Sequence, residues 1–515
     1  MSAKCVMVLG TSSGAGKSWI ATALCRHYAS QGLRVAPFKA QNMSNNARVV
    51  PGVGDSHSTG RPAGEIGSAQ YFQALAARSE PDVRMNPLLL KPESDTSSQV
   101  VLLGEVNRAI GQLPWHERGA VVWPKVAEAL DALRAENDVV VIEGAGSPAE
   151  INLMATDIVN LRVARHSDAR CLLVSDIDRG GALAHLYGTW ALLAPEDRRR
   201  IQGFVLNKFR GDPALLAPGP EQLCELTGVP TLGVVPMVFG HGLPEEDGLL
   251  QPWEGGYQPS PVAAHLNVSS SSTSVSAEVT PLRHLAIVVY PHISNLDEFQ
   301  ALSSIPGLRV SWARTPADLH GADTIILPGS KATASDLAWL RARGLDACLA
   351  EYVGRGGRVL GICGGLQMLG EGLIDLHGTE PQGNGPGLGL LPLVTAFEPQ
   401  KTVRRVQTRF SALQGAWSAL SGIAFDGYEI HCGQTVQHPA MAAKGDVARE
   451  VIGQLAWQNT QGHVLGLYVH GLFENADVLK ALFGAGVPSL DDVFDHLAAT
   501  IRASFQSGAL EKLIQ

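Results

Sequence analysis

The sequence predicts an α/β protein of two domains, each built on a mostly parallel β-sheet flanked by helices. Short β-branched runs alternate with longer segments of helical period, a pattern typical of buried parallel strands joined by helices. The alternation stops near residue 239 and starts again near residue 283. Because a chain of 515 residues is too long for one hydrophobic core, two separate domains are expected.

The elements follow one another in the order that such a protein requires. The strands expected in the first domain, residues 1–238, are CVMVL at 5–9, RVAPF at 34–38, DVVVIEG at 138–144, ARCLLVSD at 169–176, IQGFVLNKF at 201–209 and TLGVVP at 231–236. Residues 239–282 lose the alternation and include a Ser- and Thr-rich run, which is typical of a linker. The strands expected in the second domain, residues 283–482, are HLAIVVYP at 284–291, ADTIILPGS at 322–330, GRVLGICGG at 357–365 and GHVLGLYVHG at 462–471. Residues 483–515 predict an amphipathic helical tail.

Composition excludes several classes of function. A formal net charge of −9 on a chain of this length provides no general attraction to nucleic acid or to anionic membranes. The seven cysteines contain no C-x-x-C pair, which argues against a disulfide framework or a zinc site. No segment has the uninterrupted apolar length of a membrane-spanning helix. We therefore expect a cytoplasmic protein with neither nucleic-acid nor membrane partners.

The stretch LGTSSGAGKS at 9–18 predicts a phosphate-binding loop between a strand and a helix. Backbone N–H groups near Gly14 and Gly16 would converge on the phosphates of ATP. Lys17 would reach the outer phosphates, and the hydroxyl of Ser18 would bind Mg²⁺. The spacing before the Gly-Lys pair differs by one residue from the usual pattern. A turn of small residues or a loop of another subtype therefore stays open at this point.

Polar residues at the ends of neighbouring predicted strands complete this candidate site. Glu143 precedes a Gly-Ala-Gly turn, and the carboxyl ends of parallel strands are where such sheets bind ligands. We expect Glu143 to join Ser18 as a metal ligand, and Lys39 to meet the same phosphates. Asn207 is expected to contact the nucleotide base. The alternative for Glu143 and Asn207 is an ordinary polar residue at a strand end.

Cys363 is the candidate nucleophile of the second domain. It stands between a predicted strand and a helix, with Gly361, Gly364 and Gly365 around it. Small neighbours permit the sharp elbow that exposes a nucleophile, and a helix N-terminus favours the thiolate. The N–H of Gly364 would face a developing oxyanion.

A cysteine nucleophile needs a base and a second oxyanion donor. His470 ends a predicted strand of the same sheet and is the expected base, with His431 of YEIHCG as the competitor. The loop LPGSKAT at 327–333 follows another strand. It would supply the second oxyanion N–H from Gly329 or Ser330.

These motifs resemble known families. The second half resembles the flavodoxin-like class I glutamine amidotransferase domains. The resemblance rests on the motif GICGG, the LQ and LG that follow it, and a distant YVHG. The resemblance implies that Cys363 and His470 release ammonia from L-glutamine. Those domains usually carry a Glu two residues after the histidine, where this chain has Leu472, and the nearest acid is Glu474. The departure matches the CobB/CobQ-type branch, which works without that Glu.

The first half resembles the dethiobiotin-synthetase-like branch of P-loop enzymes. That branch has the loop G-T-x-x-x-x-G-K-[ST] and a Lys after the next strand, which Lys39 matches. Further stretches are together similar to the cobyric acid synthase family, from residue 4 to about residue 480. They are FKAQNMSNN at 38–46, EIGSAQ at 65–70, NPLLLKP at 86–92, EGAGSPAEINL at 143–153, SDIDRGG at 175–181, NKFRGD at 207–212 and YEIHCG at 428–433.

The resemblance implies an enzyme that uses ATP, Mg²⁺ and L-glutamine to amidate side chains b, d, e and g of the corrinoid cobyrinic acid a,c-diamide. The corrinoid contacts expected are Gln41, Asn42, Ser44, Asn45 and Glu65. Local hydrogen bonds within a polar loop are the alternative for these residues. Two other functions stay open, the a,c-diamide synthase of the same pathway and a ParA/MinD-like ATPase.

Overall fold

The computed structural model describes residues 2–52, 63–94, 97–239, 242–243, 283–380, 382–484 and 486–515. The predicted linker 239–282 therefore lies outside the described residues except at 239 and 242–243. The chain forms two units, one made of Met1–Gln251 with Pro488–Gln515 and the other of Pro252–Val487.

The first unit alternates strands and helices along the chain. Its strands are β1 Lys4–Gly10, β2 Val35–Phe38, β3 Gln41–Met43, β4 Ala47–Pro51, β5 Ala63–Gly67, β6 Leu88–Ser94, β7 Ser97–Leu102, β8 Glu105–Val106, β9 Val139–Glu143, β10 Arg170–Asp176, β11 Ile201–Phe209 and β12 Thr231–Pro236. Its helices before the linker are α1 Lys17–Ser30, α2 Ser68–Ala76, α3 Arg108–Gly111, α4 Trp115–Glu136, α5 Leu161–Ser167, α6 Ala182–Leu192, α7 Pro195–Arg198 and α8 Gly219–Thr227.

A six-stranded parallel sheet organises this unit, in the order β12-β11-β10-β1-β9-β2. Its central strands are buried on both faces, which explains their continuous apolar runs. The predicted parallel sheet is thus confirmed. The strand order places the carboxyl ends of β1 and β9 side by side, with the phosphate loop after β1 and Glu143 at the end of β9.

Two smaller sheets among the described residues of the first unit were not predicted. One has the order β3-β6-β7-β8, and the other is the antiparallel pair β4-β5. They include the first three residues of QNMSNN, in β3, and the first three of EIGSAQ, in β5, whose last three residues begin α2.

The second unit has the same alternation. Its strands are β13 Arg283–Val288, β14 Ile293–Ser294, β15 Leu308–Ala313, β16 Thr324–Leu327, β17 Gly329–Ser330, β18 Arg358–Ile362, β19 Gly372–Asp375, β20 Gly385–Pro386, β21 Leu393–Arg409, β22 Ala424–Gln437, β23 Arg449–Ile452, β24 Ala456–Gln458 and β25 Val464–Leu467. Its helices are α9 Thr333–Ala342, α10 Leu345–Gly354, α11 Gly364–Leu369, α12 Pro439–Ala442 and α13 Ala476–Phe483.

A seven-stranded sheet forms the centre of this unit, in the order β15-β13-β16-β18-β25-β24-β23. Its neighbours are parallel from β15 to β25, and the last two pairings are antiparallel. Because β18 and β25 are neighbours, Cys363 and His470 follow adjacent strands. The long antiparallel pair β21-β22 was not predicted, and it brings Ile430 to the Cys363 thiol.

The C-terminal tail, predicted from the sequence as a segment separate from both domains, belongs to the first unit from Pro488 onward. It forms α14 Leu490–Ser504 and α15 Ala509–Lys512. Helix α14 begins with a capping box between Ser489 and Asp492 and packs on α1. The buried Arg26 of α1 contacts Asp491 at 2.8 Å and Asp495 at 2.7 Å. In the part of the chain that the structure describes, no helix has the length and apolar character needed to cross a membrane.

Candidate active sites

The phosphate loop turns sharply between β1 and α1. Gly14 and Gly16 have φ angles of 72° and 91°, in the left-handed region that favours glycine. A Cβ at Gly16 would lie only 2.0 Å from Nδ2 of Asn207. That amide donates a hydrogen bond to the carbonyl of Ala15 at 2.9 Å, so Asn207 stabilises the conformation of the loop. Its expected contact with the nucleotide base stays a prediction.

Internal hydrogen bonds hold the rest of the loop. Nζ of the buried Lys17 donates to the carbonyl of Ser12 at 3.0 Å. The hydroxyl of Thr11 donates to Oγ of Ser175 on β10 at 3.0 Å. Thr11 therefore shapes the loop by tying it to the neighbouring strand, whereas Ser12 and Ser13 are exposed.

Glu143 is the centre of a buried polar cluster at the carboxyl edge of the sheet. Its Oε1 accepts hydrogen bonds from Ser18 at 2.8 Å and from Lys39 at 2.9 Å. Its Oε2 accepts from the side-chain amide of Gln73 at 2.5 Å. The structure thus brings together three residues that the sequence predicted. Gln73, on α2, was missed because only its position in the fold places it beside Glu143.

Ser18 and Glu143 suit a magnesium ion. Octahedral Mg²⁺ holds oxygens at about 2.1 Å, so adjacent ligands lie about 3 Å apart. The 2.8 Å between Oγ of Ser18 and Oε1 of Glu143 matches that spacing. One carboxylate and one hydroxyl, completed by phosphate oxygens and water, is a donor set that Mg²⁺ prefers. The two residues therefore fit the ion that the sequence predicts for them.

The five expected corrinoid contacts have different surroundings. Glu65 is buried and pairs with Lys91 at 2.8 Å. The buried Asn42 donates to Gln70 at 3.2 Å, and Oγ of the buried Ser44 accepts the backbone N–H of residue 46 at 3.0 Å. Oδ1 of Asn45 is buried without a hydrogen-bond partner among the described residues. These surroundings favour internal roles for Glu65, Asn42 and Ser44.

Gln41 differs from the other four, because it lines a cavity of about 250 Å³. The cavity also borders Ala145, Gly146 and Ser147, directly after the Glu143 turn. Most of its other walls are apolar. They include Leu88, Leu90, Val100, Ile110, Val122 and Met154.

Cys363 occupies a strained elbow after β18. Its φ of 51° and ψ of −105° are unusual for a residue with a side chain. The side chain is 5% exposed, and its Sγ lies 3.6 Å from the carbonyl oxygen of Ile430. A Cβ at Gly364 would lie 2.7 Å from the backbone nitrogen of Ser330. The glycine therefore permits close approach between the elbow and β17, which contains both Gly329 and Ser330.

His470 meets the elbow from the neighbouring strand. Nδ1 of its buried ring lies 3.0 Å from Oε1 of Glu298, and the ring is close enough to Cys363 for the charge of that side chain to act on it. Burial alone would lower the pKa of His470, but the charges of Glu298 and Cys363 and their hydrogen bonds raise that pKa to about 10. A Cβ at Gly329 would lie 2.9 Å from Cε1 of this ring. Gly329 therefore lies beside the ring of the candidate base.

The competing histidine, His431, has other partners. Its Nδ1 lies 2.7 Å from the carbonyl oxygen of Gly433, and its Nε2 lies 2.9 Å from Glu429. Its ring stacks on Tyr468 at a centroid distance of 3.9 Å. With both ring nitrogens engaged, His431 supports the site rather than facing the thiol.

The acid beside His470 was missed by sequence reasoning. Leu472 is buried and apolar, and Glu474 is exposed. Instead, Oε1 of Glu298 lies 3.0 Å from Nδ1 of His470. No local sequence signal marks Glu298, because it lies 172 residues from the histidine that it contacts.

Comparison with known proteins agrees with both halves of this geometry. Residues 6–241 match the CobQ/CobB/MinD/ParA nucleotide binding domain, and residues 284–478 match the CobB/CobQ-like glutamine amidotransferase domain. The chain is therefore an enzyme of the glutamine amidotransferase class with a nucleotide-binding domain. Because a partition ATPase of the ParA/MinD kind would lack the second domain, the match at 284–478 counts against that alternative.

Full-length relatives define the family further. The chain is 67% identical to a cobyric acid synthase of Acidovorax ebreus (strain TPSY), over 100% of this chain and 99% of that protein. It is 66% identical to one of Acidovorax sp. (strain JS42), over 99% and 98% of the two chains. It is 67% identical to one of Paracidovorax citrulli (strain AAC00-1), over 97% and 96%. The chain belongs to the cobyric acid synthase family.

Proposed function

We propose that this chain amidates side chains b, d, e and g of cobyrinic acid a,c-diamide, with ATP activating each carboxylate and glutamine supplying the ammonia. One observation carries the proposal. The same chain contains Cys363 and His470 after adjacent strands, suited to release ammonia, and Lys17 in the phosphate loop with Glu143 at the end of β9, suited to phosphoryl transfer. A carboxylate is a poor acyl donor, so amide formation needs both activities.

Glutamine hydrolysis would proceed through a thioester. The thiolate of Cys363 attacks the side-chain amide carbon of glutamine, and the N–H of Gly364, with one from Gly329 or Ser330, faces the oxyanion. The imidazolium of His470 gives its proton to the leaving nitrogen, which departs as ammonia. His470 then takes a proton from water, and the hydroxide formed hydrolyses the thioester to glutamate and free thiol. The high pKa of His470 supports this sequence, because it favours the imidazolium that gives a proton to the leaving nitrogen.

Carboxylate activation would take place at the phosphate loop. A corrinoid carboxylate attacks the γ-phosphorus of ATP, ADP leaves, and an acyl phosphate forms. Lys17 and Lys39 stabilise the charge of the transferring phosphoryl group, and Mg²⁺ held by Ser18 and Glu143 would neutralise the phosphate oxygens. Ammonia then attacks the acyl phosphate and displaces inorganic phosphate, giving the amide. The cavity at Gln41 lies directly after the Glu143 turn and suits an apolar part of the corrinoid.

Mass spectrometry of the product tests this function. The full-length protein is incubated with cobyrinic acid a,c-diamide, glutamine, ATP and Mg²⁺, and the amides added are counted. Four added amides are expected. A second incubation contains cobyrinic acid in place of the a,c-diamide. If the protein leaves the a,c-diamide unchanged but amidates cobyrinic acid at positions a and c, the a,c-diamide synthase alternative is favoured.

A single variant tests whether the two activities are separate. Cys363→Ala should lose glutamine-dependent amidation by about 10³-fold or more but retain amidation when ammonium replaces glutamine. Glutamine-dependent activity retained by this variant would exclude Cys363 as the nucleophile.

A further inference from the structure

A carboxylate from a distant part of the chain holds the candidate base. Glu298 lies in the 3-10 helix Leu296–Ser304 and is fully buried. Its Oε1 lies 3.0 Å from Nδ1 of His470, and its Oε2 accepts the backbone N–H of Gly471 at 3.1 Å. Both carboxylate oxygens are therefore engaged by the base and by the residue that follows it.

We propose that Glu298 is a positioning residue for glutamine hydrolysis, a role that depends on the proposed activity of Cys363 and His470. A carboxylate on Nδ1 fixes the rotation of the ring and leaves Nε2 to exchange a proton with the thiol. Here the second oxygen also holds the backbone at Gly471, whose φ of 86° favours glycine. One side chain thus orients both the ring and the turn after it.

The other neighbours of His470 restrict the ring further. Tyr428 stacks on it, with ring centroids 5.3 Å apart and planes inclined by 20°. The Tyr428 hydroxyl accepts a hydrogen bond from Asn295 at 2.8 Å, and its backbone pairs with that of His470. A buried carboxylate is costly without a cationic partner. Glu298 therefore favours the imidazolium form of His470 in the orientation that these contacts impose.

The segment that contains Glu298 also reaches the candidate oxyanion strand. In β14, Ile293 pairs with Ser330 and Ser294 pairs with Gly329. A single stretch, residues 293–298, therefore contacts both the strand beside the elbow and the base. The chemical step depends on how the base and the strand beside the elbow are placed relative to each other. Loss of the Glu298 contact is therefore expected to slow the chemical step more than it weakens the binding of glutamine.

The variant Glu298→Gln keeps the size of the side chain and removes its charge. In the full-length protein, kcat for glutamate release should fall about 10²- to 10⁴-fold, with KM for glutamine changed less than about threefold. The alkaline limb of the pH profile should move to lower pH, because the charge that keeps His470 protonated is lost. Among the described residues, Cys363 and Tyr428 are titratable groups that still face the ring in this variant. Amidation with ammonium should proceed at the wild-type rate.

Two comparisons make the result specific. Glu474→Gln, which alters the exposed acid nearest in sequence to His470, should keep wild-type glutaminase activity. In a His470→Ala background, Glu298→Gln should cause no further loss, because Glu298 acts through that ring.

Several results would overturn the proposal. One is a wild-type kcat for glutamate release in Glu298→Gln. Another is a further loss of glutaminase activity when Glu298→Gln is added to His470→Ala. A third is a simultaneous loss of ammonium-dependent amidation, which would indicate that Glu298 has a folding role. If the wild-type protein released no glutamate from glutamine, the proposed function itself would fall.

Discussion

Nζ of Lys39 lies 2.9 Å from Oε1 of Glu143, and both side chains are almost fully buried. The same oxygen accepts the hydroxyl of Ser18 at 2.8 Å. Glu143 is thus the common partner of the cation and of the hydroxyl that the proposed phosphoryl transfer requires. Glu143, at the end of β9, therefore links Lys39, which follows β2, to Ser18 at the start of α1. Changes at any of these three residues should affect the others.

Replacing Lys39 should affect both activity and stability. Lys39→Met should lower ammonium-dependent amidation about 10²- to 10³-fold, because a cation at the transferring phosphoryl group is lost. It should also destabilise the first unit by about 3 kcal/mol, since Glu143 stays buried without its cation. Corrinoid-dependent ADP release and urea unfolding measure the two effects.

A double variant separates the two effects of Lys39. Lys39→Met with Glu143→Gln should regain part of the lost stability and none of the activity, because the uncompensated charge is removed along with the metal ligand. Equal stability of Lys39→Met and the wild type would contradict the burial of this pair.

The phosphate loop offers a matched pair of glycines. Gly16→Ala and Gly32→Ala both place a side chain at positive φ, 91° and 82° respectively, which costs about 1 to 2 kcal/mol. Only at Gly16 would the new Cβ meet Nδ2 of Asn207, at 2.0 Å, whereas nothing lies within 4 Å at Gly32. Gly16→Ala should therefore abolish ATP binding measured by calorimetry, and Gly32→Ala should leave it unchanged. Similar ATP affinities for the two variants would show that the contact with Asn207 does not shape the loop.

Most residues that could be located from the sequence lie in short segments whose conformation depends on neighbouring residues in the chain. The phosphate loop and the Cys363 elbow are both strand-turn-helix segments, so their glycines and their strands can be recognised within about fifteen residues of sequence. Lys39 and Glu143 could be located as well, because the edge of a parallel sheet collects the ends of its strands.

The residues that were missed depend on contacts made by the whole fold. Glu298 lies in a short 3-10 helix with no motif, and only the fold of the second unit brings it to His470. Gln73 reaches Glu143 in the same way, from a helix far from it in sequence. The corrinoid contacts expected in the polar stretches stay predictions. Asn42 and Glu65 have the chemistry of ligand contacts, and in this structure each also has a polar partner inside the unit.

The raised pKa of His470 predicts the shape of the pH profile. Below its pKa of about 10, His470 is protonated and can give its proton to the leaving ammonia. As the pH rises through that value the imidazolium is lost, so kcat for glutamate release should fall on the alkaline side. The profile should be flat from about pH 7 to about pH 9, because His470 stays protonated there. An alkaline limb centred near the ordinary histidine pKa would contradict the influence of Glu298.

The contact between Arg26 and helix α14 predicts that the C-terminal tail stabilises the first unit. The Arg26 side chain is 1% exposed, and its anionic partners Asp491 and Asp495 are largely exposed. Replacing both aspartates with alanine should destabilise the unit by about 1 to 2 kcal/mol, because the partners are well solvated but the guanidinium is not. Asp477→Ala, at the exposed start of α13 in the second unit, should change stability by less than about 0.5 kcal/mol. Thermal unfolding checks both values, and glutaminase activity should be unaffected. Wild-type unfolding of the double variant would show that these ion pairs do not hold α14 on α1 in solution.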